Sequence, residues 1–166
     1  MISKFVFYIN SKNKKVYLNN EFSYFFYSPR IYKLKKHNST SLFSNLLYFF
    51  WFIFSLGNYK ILYIVNKKNK EIVHFSNVIP KIFKYSFMKK EDLQITHCYT
   101  YPNFRRMNLY SFALYIIQKE YSNCKLWIGS RVDNEKSIMA IEKSGFKKMF
   151  SVQKSSFLGI YYKIDE

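Results

Sequence analysis

Hydrophobic and polar positions change rhythm several times along this chain, and each rhythm predicts an element. Phe5–Ile9 and Lys15–Leu18 read as short strands joined by the polar turn "NSKNKK". The aromatic run "FSYFFYSPRIYKLKKHNSTS" is broken at Pro29, crosses a basic patch and ends in a Ser/Thr cluster able to cap a helix. Leu42 to Leu56, "LFSNLLYFFWFIFSL", then carries no charge until Gly57 stops it. Its weak polar side (Ser44, Asn45, Tyr48, Ser55) predicts a helix buried on most faces, packed against a sheet or a second subunit. The stretch falls short of the roughly 20 apolar residues that span a bilayer. Lying along a membrane surface stays open as an alternative, given Lys33, Lys35 and Lys36 upstream and Tyr48 and Trp51 within it.

After Gly57 the pattern becomes regular. "YKILYIVN" and "KEIVHFSNVIP" form a hairpin across the polar "KKNK", and "LQITHCYTY" is a third strand ended by Pro102. Leu109, Phe112, Ala113, Ile116 and Ile117 recur at helical spacing. "KLWIGSRV" is a near-continuous apolar strand of the kind buried on both faces. Asp133 or Asn134 caps a second helix through Lys143, and Gly145 supplies its C-terminal cap. "FKKMFSV" and "FLGIYYKI" finish as strands. The order predicts a single α/β domain over residues 1–166, with residues 1–57 as an N-terminal part and 58–166 as the regular core.

Composition narrows the partners. With 49% apolar and 22% aromatic residues in 166, the chain is long enough to bury a core. A net charge of +17 suits an anionic partner, whether nucleic acid, membrane surface or phosphorylated small molecule. The same richness in Lys, Asn, Ile, Phe and Tyr also follows from AT-rich coding, and the lysines are scattered rather than gathered on one helix. No specific nucleic-acid partner is therefore expected. Cys98 and Cys124 have neither metal-ligand nor redox spacing, so no metal is expected and a reducing compartment fits. The N-terminal stretch lacks a signal-peptide pattern, which gives a cytoplasmic expectation, with inner-face membrane association left open.

Two segments carry a family resemblance. "VDNEKSIMAIEKSGFKK" resembles the "N-x-x-(S/A)…E-K-x-G-F" helix and strand of the GCN5-related N-acetyltransferase (GNAT) superfamily, matching at Asn134, Ser137, Glu142, Lys143, Gly145 and Phe146. "YPNFRRMNLYSFAL" is similar to that family's acetyl-CoA signature "P-x-(Y/F)-R-(G/R)-x-G-(I/L)-(G/A/Y)-x-x-L", matching at Pro102, Phe104, Arg105, Leu109 and Leu114. The resemblance covers about Lys60 to Ile164. It implies a mixed, mostly antiparallel sheet with a splayed central strand pair and flanking helices, the acceptor on the side of residues 1–57, and acetyl-CoA bound by 58–166.

Several site assignments follow from that resemblance. The loop and first turn Arg105, Arg106, Met107, Asn108, Leu109 and Tyr110 would wrap the CoA pyrophosphate, which explains two cations at the positive end of a helix dipole. Backbone groups of Cys98, Tyr99 and Thr100 would hold the acyl carbonyl and pantetheine, and Asn134 and Ser137 would touch the pantetheine or cysteamine. Two departures stand out: the loop's usual glycines are Asn108 and Tyr110, and the tyrosine expected before "E-K-x-G-F" is Ile141. The proton donor must then be another tyrosine or water.

Transfer of an acyl group to an amine also needs a base. His74 and His97 are the candidate general bases, since imidazole titrates near neutrality; Glu91 and Asp92 are the acidic runners-up. The resemblance implies direct transfer to a primary amine, with a nucleotide-linked or lipid-linked amino sugar of a surface glycan among the acceptors considered. Two other classes remain beside it. One is a GNAT-like binding protein without turnover, homodimeric or not; the other is a basic polyanion- or membrane-surface binder.

Overall fold

The computed structural model describes residues 3–37, 42–81, 85–154 and 161–163. Eight strands form one sheet: β1 (Ser3–Asn10), β2 (Phe22–Tyr27), β3 (Lys60–Asn66), β4 (Ile72–Pro80), β5 (Leu93–Thr100), β6 (Leu126–Arg131), β7 (Phe146–Lys154) and β8 (Tyr161–Lys163). The helices are α1 (Leu42–Phe54), α2 (Leu109–Glu120) and α3 (Glu135–Lys143). The sheet order is β2-β3-β4-β5-β6-β1-β7-β8. Every pair is antiparallel except β5 with β6.

Strand alternation sorts the core onto two faces. On β3, Leu62 and Ile64 join α2 and α3 on one face, while Ile61 and Tyr63 meet Tyr48 and Trp51 of α1 on the other. A third cluster packs Tyr85 and Met88 on Phe7, Trp127 and Val152. All four central residues of β3 are fully buried, as their unbroken apolar run implies.

Three expectations need correction. Lys15–Leu18 is not a strand: Val16 and Leu18 instead dip into the α2-side core from an irregular segment, which produces the same alternation without a ladder. The first strand's neighbours are β6 and β7, and the aromatic run supplies β2, paired with β3 at the sheet edge. The helix expected to be buried on most faces is buried on one side only. For the final strand, the described part is Tyr161–Lys163, and its expected beginning lies outside the described residues.

Gly145 joins the two ends of the fold. It follows α3 with φ +88°, and a Cβ there would overlap the Lys12 carbonyl oxygen. Its own carbonyl accepts the Ser11 and Lys12 amides at 3.2 and 3.1 Å. Only glycine meets both demands.

Candidate active site

The parallel pair β5–β6 is joined at Leu93–Leu126, Gln94–Trp127 and Ile95–Ile128, and there it stops. Beyond that point β6 stays paired with β1 only, as at Gly129 with Phe7, while β5 continues against β4 alone. The two strands therefore part into a V. Its β5 wall carries Thr96 to Thr100.

That wall is bulged. His74 pairs with Thr100 and Phe75 with Tyr99, but Asn77 pairs with Thr96, so His97 and Cys98 share one partner, Ser76. His97 has φ +47°, an uncommon conformation for a residue other than glycine. The sequence has no glycine or proline here to announce the bulge. Such an extra residue re-aims the neighbouring backbone groups, which is what a strand needs if its amides are to face a ligand.

The α2-side face of the V is a chain of polar side chains. His74 is fully buried, with Nδ1 2.7 Å from the Thr100 hydroxyl and Nε2 2.8 Å from the Ser76 hydroxyl. Burial pushes its pKa down to about 3. The Tyr110 hydroxyl lies 3.5 Å from that of Ser137, linking the first turns of α2 and α3. Burial raises the Cys98 thiol to about 12, against the opposing pull of hydrogen bonds with Ser76 and Tyr110. Tyr110 is likewise raised well above its ordinary range, first by burial. The seam between β5, α2 and α3 is lined with neutral polar groups but poorly hydrated, and so disfavours charge.

His97 lies elsewhere. Its ring is exposed, 4.8 Å from Trp51 in an edge-on arrangement, with Nδ1 3.2 Å from the Thr96 hydroxyl. The two histidines do not meet. Of the acidic runners-up, Glu91 is exposed, whereas Asp92 is buried and accepts the Trp127 indole N–H at 2.7 Å and the Lys89 amide at 2.9 Å. Ile141, on the inner side of α3, is fully buried in the core.

At the mouth of the V, residues 102–104 form one short 3-10 turn, and the chain then reverses through Arg106 at φ +66° and Asn108 at φ +55°. Positive φ thus falls at Arg106 and Asn108. Tyr110 is the second residue of α2, so its side chain replaces a glycine without backbone strain. Helical bonding begins with the Phe112 amide on the Asn108 carbonyl at 2.9 Å, leaving the preceding amides directed out of the helix end. Alternating backbone of this kind forms a concave anion site. Arg105 lies back along β5, its Nε donating to the Thr100 carbonyl at 3.2 Å and its guanidinium 6.0 Å from the centre of the Tyr99 ring. Arg106, Met107 and Asn108 are exposed, and Leu109 is core.

Asn134 accepts the Ser137 amide at 3.3 Å and is the N-cap of α3. The site residues missed by sequence reasoning are Ser76 and Trp51. Ser76, two residues after His74 on one strand, was legible as a same-face neighbour; Trp51 was not. A shallow cleft at the β2 edge is lined by Phe25, Tyr27, Arg30, Tyr32, Lys33 and Lys36. Among the described residues no group of three His, Cys, Asp or Glu is placed to hold a metal.

No family model and no curated protein matches the sequence. Solved structures do match the fold. A Drosophila protein superposes with TM-score 0.64 at 12% identity, over 99% of this chain and 52% of that one. A GNAT-family acetyltransferase from Colwellia psychrerythraea superposes with TM-score 0.57 at 9% identity, over 89% and 54%. A GCN5-related N-acetyltransferase-like protein from Streptococcus suis gives 0.53 at 13%, over 92% and 61%. The chain spans between 52% and 61% of the length of these three. Together with the splayed, bulged strand pair, these likenesses show that the chain carries the GNAT fold.

Proposed function

We propose that this protein is an acyl-CoA-dependent N-acyltransferase that transfers an acyl group, acetyl in the first instance, directly to a primary amine. The observation that carries the reading is the V between β5 and β6, bulged at His97 and closed at its mouth by a loop with positive φ at Arg106 and Asn108. The residues present fit acetyl-CoA: the outward amides at the start of α2, with Arg105 and Arg106, suit the pyrophosphate. Backbone of Cys98–Thr100 beyond the bulge suits the acyl carbonyl and pantetheine. Bound acetyl-CoA supplies the activated acyl group.

The chain's own groups divide the remaining work. Between the candidate bases, His97 is favoured over His74, because it is exposed at the bulge while both His74 nitrogens are engaged in the interior. Tyr110 is the phenol within the seam and holds its proton there. The cleft of Phe25, Tyr27, Arg30, Lys33 and Lys36 fits an acceptor with a ring and a negative group, a nucleotide-linked amino sugar being one example. An enzymatically silent relative is the second reading, favoured by the side chain of Tyr110 lying in the seam.

Calorimetric titration with acetyl-CoA at physiological salt tests the binding step. The Arg105→Ala/Arg106→Ala double variant should bind at least about tenfold more weakly while keeping its melting temperature. Unchanged affinity would remove the loop from the site. Binding without acyl transfer to any amine acceptor would favour the silent relative.

A further inference from the structure

One side of α1 is seated on the sheet through Tyr48 and Trp51, and Ser55 just past the helix is buried as well. The other presents Phe43, Leu46, Phe50 and Ile53 to solvent at helical spacing, flanked by Phe49 and Phe54. The exposed rings touch one another: Phe49 lies 6.3 Å from Phe50, which lies 6.1 Å from Phe54. A contiguous apolar face of this extent marks a contact surface.

A second feature points the same way. Leu56, just past the helix, is 87% exposed and has φ +51°. A bulky residue in that conformation costs stability that Asn or Gly would spare, and an exposed leucine gains nothing from solvent. The strain makes sense if the side chain is covered by something outside the chain.

Charge identifies the cover. The sequence has no Asp or Glu between Glu21 and Glu71, while Arg30, Lys33, Lys35, Lys36 and Lys60 all fall in that interval. Lys35 lies over the ring of Tyr48, on the sheet-facing side of α1, at 5.0 Å, so the basic segment abuts the helix. A second copy docked on this face would set the same acid-free, basic segment against itself, and like charges would oppose it. An anionic bilayer satisfies both features, taking the aromatic face into its interfacial zone while its negative surface attracts the net positive charge of this acid-free segment. No described helix is long and apolar enough to cross a membrane, so α1 would lie in the plane of the surface.

We propose that the exposed face of α1, with Leu56, docks on an anionic lipid bilayer, independently of whether the V transfers acyl groups. Flotation of the full chain with vesicles of phosphatidylcholine alone, and of phosphatidylcholine mixed with phosphatidylglycerol, tests it. Binding is expected with the mixed vesicles only, weakening as salt rises. The Phe43→Ser/Leu56→Asn variant should lose at least about tenfold in vesicle affinity. Both side chains lie largely in solvent, and Asn tolerates the Leu56 backbone, so the melting temperature should not fall. No flotation with anionic vesicles would overturn the proposal. So would flotation undiminished in the variant, or a dimer that the variant dissociates without any vesicle binding.

Discussion

Acid should destabilise this protein before its carboxylates begin to titrate, and His74 is one of two reasons. The imidazole is fully buried and its pKa is pushed from the ordinary 6.5 to about 3 by desolvation. A folded-state pKa below the unfolded one means that the unfolded chain binds the proton first. Stability is therefore fully present above pH 6.5 and is lost as pH falls toward 3. Between pH 7 and pH 5 a single such histidine costs about 2 kcal/mol. His37 acts in the same direction: its ring is buried, stacked at 3.8 Å on Phe75, and its pKa is lowered to about 4 by burial and then by Lys35. The pair together should remove about 4 kcal/mol, a large share of a typical domain's stability. Urea unfolding at pH 7 and pH 5, at constant ionic strength, measures the loss. The His74→Gln variant should show about half the pH dependence of the parent chain. A loss below about 1 kcal/mol in the parent would mean that His74 takes up a proton in the folded state near neutrality, which would return it to the candidate bases.

Three further outcomes follow from single contacts. Gly145→Ala should cost about 3 kcal/mol or more, because positive φ and the overlap with the Lys12 carbonyl act together; a change under about 1 kcal/mol in chemical denaturation would refute the close approach. Asn134→Ala should lower stability by about 1 kcal/mol and Asn134→Asp should not, as read by thermal unfolding, because Asp keeps the cap on the Ser137 amide. If Asn134→Asp nevertheless weakens acetyl-CoA binding, the amide also touches the ligand. Tyr110→Phe should leave acetyl-CoA affinity within about threefold and lower turnover by about a hundredfold, measured as kcat and KM separately.

How legible these features were depends on whether local pattern or distant packing decided them. The β3–β4 hairpin, β5, α2 and α3 were readable because their apolar positions keep one period and their ends carry Pro102, Asn134 and Gly145. Lys15–Leu18 misled because two alternating apolar residues suffice for a covered loop as well as for a strand. In α1 the uniform hydrophobicity hid which side the sheet would take, so only the fold could separate Trp51 from Phe50. The site divides likewise. Arg105, Arg106 and Asn108 announced a loop by their chemistry, whereas the bulge at His97 depends on the register between β4 and β5, which no local signal encodes. Tyr110 appeared as an obstacle to a tight turn; the fold moves that demand to Arg106 and frees the phenol for another task.

Under the proposed acyl transfer, a task for that phenol follows from the polarity of the seam. The Cys98 thiol, on the β5 wall, is driven up to about 12 because its surroundings cannot solvate a thiolate. A sulfur leaving an acyl group in the same seam would meet the same penalty, so its basicity would rise and it would take a proton readily. A neutral donor that surrendered its proton outright would leave an anion under the same penalty, so the group suited to this place shares its proton with the sulfur in a hydrogen bond. Tyr110 fits that role: burial keeps its phenol protonated, so the hydroxyl remains a hydrogen-bond donor, 3.5 Å from the Ser137 hydroxyl and bonded to Cys98 on the β5 wall. Ile141 occupies the usual tyrosine's position as a fully buried core residue, so that position cannot contribute a proton. Replacing the phenol by phenylalanine removes the proton but keeps the ring that packs the seam, so the two roles separate in one variant. Falling kcat at constant KM would assign Tyr110 to the departing sulfur; loss of affinity with unaltered kcat would make it only a wall.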